Sequence, residues 1–214
     1  MEQNGSPLPA ELPGHPVLRP VFGLDVVGYG RRSDAVRRVL RDDLHGVARS
    51  AFAAIGLPLD CCPSRDTGDG LVLAAPPDAD CGLLAGELVQ HLDRQLRARN
   101  EARTEDGRLR LRAAAAVGLV LRDGEGLDGD GFVRLARMLD APAFRDLVAG
   151  HGTDLGFVMS GFLYRGFVLA HRTLIPPTEF FEIDLTNKES EETGWAWVAR
   201  PQRHLRVAGR HISA

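Results

Sequence analysis

The spacing of apolar and polar positions switches between two periods along this chain, and the switches outline an α/β fold. Residues 17–27 form a nearly unbroken apolar run, which predicts a first, buried strand. Ser33 then offers an N-cap, and Val36, Val39, Leu40, Val47, Ala51 and Phe52 recur at helical spacing as far as Gly56 and Pro58. Residues 57–62 and 71–75 read as two strands joined by a tight polar turn. After Pro76 and Pro77, the stripe Leu83, Leu84, Leu88, Leu92 and Leu96 predicts a second amphipathic helix. Residues 109–121 predict a strand that alternates at first and is then apolar throughout, as at the centre of a sheet. A glycine-rich acidic loop over 122–131 leads into a helix containing Phe132, Leu135, Ala136 and Leu139, with a short helix after it. A strand over 155–159, a helix over 162–169 and a closing antiparallel pair over 180–185 and 195–198 complete the expected elements. The order β-α-β-β-α-β followed by additions matches a ferredoxin-like core, which puts the first strand beside a strand of the hairpin.

The ends lack this patterning. Residues 1–16 are polar and rich in proline and glycine, which predicts a flexible arm, and residues 200–214 form a basic tail with no clear element. The span 17–199 is long enough for one domain with one good core. A formal charge of −3 argues against a protein that coats nucleic acid. Arg31, Arg32, Arg37, Arg38 and Arg41 are interleaved with Asp34, Asp42 and Asp43, the pattern of a solvated helix face, and no aromatic RNA-binding strand is present. No apolar run approaches the roughly 18 residues of a membrane helix and no signal peptide opens the sequence, so a cytoplasmic protein is expected. Cys61, Cys62 and Cys81 are odd in number and lack metal-ligand spacing. Lys188 is the single lysine among 26 basic residues. It reads either as a position needing a compact ammonium or as an ordinary exposed residue.

Candidate chemistry sits in two short acidic motifs. Val21-Phe22-Gly23-Leu24-Asp25-Val26-Val27-Gly28-Tyr29-Gly30 ends an apolar run with a carboxylate followed by glycines, and Ser64-Arg65-Asp66-Thr67-Gly68-Asp69-Gly70 forms the polar turn. On neighbouring strands, Asp25 and Asp69 can share one or two Mg²⁺ or Mn²⁺ ions, which would neutralise a nucleoside triphosphate and lower the pKa of an attacking hydroxyl. Gly28 and Gly30 allow close backbone approach to phosphate oxygens, and the first helix directs its opening N–H groups toward the same place. Taken singly, Asp25 also reads as a turn or capping residue, and Asp69-Gly70 as a common hairpin dipeptide.

These motifs carry a resemblance to the class III nucleotidyl cyclases, the adenylate and guanylate cyclases. Asp25-Val26-Val27-Gly28-Tyr29 resembles their metal-binding motif and Arg65-Asp66-Thr67-Gly68-Asp69 their second motif. Gly118-Leu119-Val120 is similar to their glycine-bearing strand, and 129–137 to the helix with their transition-state residues. Ser160 and the stretch from Lys188 to Trp197 are similar to the end of such domains, so that the resemblance spans 18–198 and is closest to short actinobacterial members. It implies that Asp25, Asp69 and the Val26 carbonyl bind the metals and that Val27, Gly28 and Tyr29 line the nucleotide. It further implies that Arg137 steadies the charged phosphorane, that Lys188 grips the triphosphate, and that Arg65 stands where a base-reading lysine is usual. The implied assembly is a head-to-tail homodimer in which the metal ligands of one subunit meet Arg137 of the other.

Three positions depart from the pattern. Val133 stands where the family has a ribose-orienting asparagine, Gly126 where many members place a base-reading Asp or Thr, and Gly30 where Ser or Thr is frequent. Two readings therefore stand side by side. One is a metal-dependent cyclase that makes a 3′,5′-cyclic nucleotide and pyrophosphate. The other is a catalytically degenerate module that keeps the fold for nucleotide sensing, dimerisation or partner regulation. With no sensory or output segment recognisable, regulation would come from a separate protein.

Overall fold

The computed structural model describes residues 15–123, 126–186 and 192–200. Most of the expected arm, most of the expected tail and Lys188 therefore lie outside the described residues. Strand β1 (Val17–Val26) leads into helix α1 (Asp34–Ala54), followed by the hairpin β2 (Ser64–Asp66) and β3 (Gly70–Ala74). Helices α2 (Cys81–Ala85) and α3 (Glu87–Asn100) precede β4 (Leu111–Asp123), which folds back as the short β5 (Gly126–Asp128). Helices α4 (Asp130–Asp140) and α5 (Pro142–His151), strand β6 (Leu155–Ser160), the short helix α6 (Gly161–Leu163), β7 (Phe181–Asp184) and β8 (Thr193–Val198) follow.

One sheet runs β2-β3-β1-β4-β6-β8-β7, with β5 paired to β4 off this path. Its first four strands have the expected ferredoxin-like order, with β1 antiparallel to both β3 and β4. Strand alternation then divides the core in two. Phe22, Leu24 and Val26 pack with α1 and α3, where Phe22 meets the Phe52 ring edge-on at 5.6 Å. Val21 packs on the opposite face with Ala114, Ala116, Leu135 and Phe144. Gly23 lies beneath α4, where an added Cβ would stand 3.2 Å from the Leu139 side chain. Asp25, two residues further on, therefore falls on the α4 face.

Three elements differ from expectation. The strand over 57–62 is instead a 3₁₀ turn at Leu59–Cys61, and pairing begins only at Ser64. Pro58 and Pro63 bracket this stretch and remove two ladder donors, which explains the shift. The second helix is split at Gly86, whose backbone leaves helical geometry where a Cβ would come within 2.8 Å of Thr173. The acidic loop over 122–131 contributes a strand, β5, that pairs antiparallel with the end of β4.

Candidate active site

The two motif aspartates are brought to one corner of the sheet. Asp25 pairs in register with Gly70, and the Val26 amide donates to the Asp69 carbonyl at 2.8 Å. The turn that delivers Asp69 depends on its glycines. Gly68 has φ +93, and a Cβ on Gly70 would lie 2.3 Å from the Leu24 carbonyl oxygen. Asp66 closes this turn by accepting the Gly68 amide at 2.7 Å, and it anchors the hairpin to α1 through Arg41 Nε at 2.9 Å and His45 Nε2 at 2.8 Å. Burial works against the Asp66 carboxylate, yet the Gly68 amide, His45 and Arg41 together outweigh it and hold its pKa below the usual carboxylate value. Asp69 is exposed, with the Thr67 hydroxyl 3.4 Å from its Oδ1.

Asp25 is mostly buried, and its charge is met from β4. Arg112 is its cross-strand partner, donating from Nε to Oδ1 at 3.0 Å and from Nη2 to Oδ2. Burial pushes the Asp25 carboxyl above its ordinary pKa, Arg112 opposes this, and the carboxylates of Asp69 and Asp140 add to the upward push. Asp140, at the end of α4, is itself paired with Arg145.

Beyond Asp25 the chain turns through Gly28, whose φ of +71 is easily held by glycine, into a 3₁₀ turn over Tyr29–Arg31. Ser33 caps α1 by accepting from the Val36 amide. A cavity of about 420 Å³ opens here, lined by Gly28, Arg31, Arg32, Ser33, Val36 and Asp106. Arg32 is tied to Asp106 at 2.8 Å, whereas Arg31 is exposed and lies against Gly28. Val27 is bonded through its amide to the Arg110 carbonyl at 2.9 Å. Tyr29 packs against the α1 core, with the Arg37 guanidinium 6.0 Å from its ring.

The remaining candidates lie elsewhere. Arg65 donates to the Leu127 carbonyl at 3.2 Å and stands 6.0 Å from the Phe132 ring, so β2 is drawn toward β5 and α4. On α4, Phe132, Leu135, Met138 and Leu139 face the sheet, leaving Val133, Ala136 and Arg137 on the exposed side. Lys188 lies outside the described residues. Arg112 is the residue that motif reading missed. Its signal was the polar position alternating with Leu109 and Leu111 at the start of β4, opposite the end of β1.

Among the described residues no group of three or more His, Cys, Asp or Glu side chains is placed to hold a metal ion. The donors at this corner are two carboxylates and the Val26 carbonyl. Such hard oxygen donors suit Mg²⁺ or Mn²⁺, so the chemistry of the donor set fits a divalent ion.

No family model matches the chain, and no curated protein matches it in sequence. Its structure, however, is similar to solved cyclase domains. An adenylate/guanylate cyclase/hydrolase from Silicibacter pomeroyi superposes with a TM-score of 0.61 at 16% identity, over 86% of this chain and 98% of that one. The guanylyl cyclase Cya2 superposes with a TM-score of 0.60 at 14% identity, over 91% and 98%. The guanylate cyclase domain of RhGC from Catenaria anguillulae, in complex with GTP, gives 0.53 at 15% identity, over 86% and 97%. The chain therefore has the fold of the class III nucleotidyl cyclase catalytic domains. No described helix is long and apolar enough to cross a membrane.

Proposed function

We propose that this protein is a nucleotidyl cyclase that converts a nucleoside triphosphate to a 3′,5′-cyclic nucleotide and pyrophosphate. The observation that carries the reading is the pairing of Asp25 with Gly70, which sets Asp69 beside the end of β1 on a cyclase-type sheet. In the reaction, the ribose 3′-oxygen forms a bond to the α-phosphorus and loses its proton, and the bond from that phosphorus to the bridging oxygen of the β-phosphate breaks. Asp25, Asp69 and the Val26 carbonyl would hold Mg²⁺ or Mn²⁺, which acidifies the 3′-hydroxyl and offsets the triphosphate charge when bound. Val27, Gly28, Tyr29 and the start of α1 are assigned to the phosphates, where the glycine turn opens the backbone and the N-terminal end of a long helix favours anions.

Arg137, on the exposed side of α4, is assigned to the site of a second copy in a head-to-tail homodimer, where it stabilises charge developing on the phosphorus oxygens. Lys188 is assigned to the triphosphate and Arg65 to the base side of the site. We place the reaction in the cytoplasm, where triphosphates are available. Val133 cannot hydrogen-bond a ribose, and the loss of such an orienting contact costs about 10²-fold in rate, so turnover is slow.

The test is to incubate the protein with each of the four triphosphates and Mn²⁺ and to detect cyclic product by mass. Product is expected from the wild type, falling at least about 10²-fold in Asp69→Ala. Absence of product from all four triphosphates overturns the proposal.

A further inference from the structure

We propose that Arg112 is the resident cation of the Asp25 site: its guanidinium holds both oxygens of the Asp25 carboxylate, and a divalent ion gains that ligand only by displacing it. This rests on the proposed role of Asp25 and Asp69 as metal ligands, and it adds a residue that neither acidic motif contains.

The geometry is a matter of register. Asp25 and Arg112 face one another across β1 and β4, on the α4 side of the sheet. Side chains directly opposite on neighbouring strands lie close enough to pair without distortion of either backbone. Arg112 engages one carboxylate oxygen through Nε and the other through Nη2, the two-armed grip for which arginine is suited. The two side chains are only 18% and 13% exposed, so water competes weakly for either. The neighbouring carboxylates are differently placed. Asp140 is satisfied by Arg145, and Asp69 stands exposed on its turn.

A Mg²⁺ or Mn²⁺ ion bound through Asp25 would sit about 2 Å from one of the oxygens that Arg112 already occupies. Two cations would then share one carboxylate at a separation where like charges repel strongly in a poorly hydrated corner. Because the guanidinium is a rigid planar fork, shifting it far enough to admit the ion breaks both of its bonds together. Metal binding and the Arg112–Asp25 pair are therefore alternatives. The free protein takes up divalent ions weakly, and a bound triphosphate, which brings negative charge for both cations, strengthens that uptake.

The experiment follows the loss of the free Mn²⁺ electron paramagnetic resonance signal as nucleotide-free protein is added, so no turnover is required. Arg112→Gln removes the charge and is expected to bind Mn²⁺ at least tenfold more tightly than the wild type. Arg112→Lys keeps a charge without the fork and should tighten binding by a smaller factor, which preserves the test if the glutamine variant fails to fold. Asp25→Asn should abolish the gain when combined with either substitution. Equal or weaker Mn²⁺ binding in the Arg112 variants, with the wild type binding normally, overturns the role of Arg112 and leaves the metal-ligand reading standing. No Mn²⁺ binding by any of the proteins, with or without triphosphate, overturns both.

Discussion

At the scale of single residues, the chemistry of this corner comes from charges placed by strand register. Asp25 carries a desolvation cost that one arginine offsets in part, while Asp69 and Asp140 press in the opposite sense. The two carboxylates were legible in the sequence because turn chemistry marks them: an Asp at the end of an apolar run, and Gly-Asp-Gly between two strands. Arg112 was not, since its partner lies 87 residues away and only the β1–β4 register brings them together. Cysteine reactivity gives a separate check of local environment. Burial pushes the Cys62 thiol up to about 11, with Cys61 adding to the effect and Arg19 opposing it, whereas Cys61 is exposed. A folded pKa above the ordinary thiol value of 9.0 means that Cys62 favours the native state below about pH 9, and that this contribution is lost as pH rises toward 11. At pH 8, iodoacetamide followed by peptide mass mapping should label Cys61 in the native protein, and Cys62 only after unfolding. Labelling of both at similar rates would show that Cys62 is not buried as described.

At the scale of elements, the site stands on a close contact between strand and helix. A Cβ on Gly118 of β4 would come within 2.5 Å of the Gly131 Cα at the start of α4, so the two backbones touch there. Gly118→Ala must push α4 away from β1 and β4, and overpacking of this kind costs about 1–3 kcal/mol. Thermal unfolding should fall by about 2–4 °C for each kcal/mol in a chain of this size. An unchanged Tm would mean that α4 is not seated on Gly118. The strand and helix periods gave most elements correctly, including the antiparallel closing pair β7 and β8, because these are long or strongly patterned. The misplacements have local causes that periodicity does not register. Pro58 and Pro63 moved the start of the hairpin to Ser64, Gly86 broke a continuous leucine stripe against Thr173, and a glycine-rich stretch folded back as β5.

At the scale of the whole molecule, the ferredoxin-like half sets the carboxylates at one corner, and β6, β8 and β7 extend the sheet beyond β4. The fold is shared with solved cyclase domains across nearly their full length, at identities of 14–16% for the three compared. Arg137 lies on the exposed side of α4, while Asp25 lies at the end of β1, on the face of the sheet that α4 covers, with its carboxylate held by Arg112. On the proposed head-to-tail homodimer, the site draws Asp25 and Arg137 from different copies. Such a shared site makes a quantitative demand on mixed dimers. Asp69→Ala and Arg137→Ala should each be nearly inactive alone. Combined in equal amounts and allowed to exchange subunits, half of the dimers pair one variant with the other, and each of these regains one intact site. Cyclic nucleotide formation by the mixture should therefore recover to about a quarter of the wild-type rate. A mixture as inactive as its components, beside an active wild type, would contradict a nucleotide site built from the carboxylates of one chain and the arginine of another.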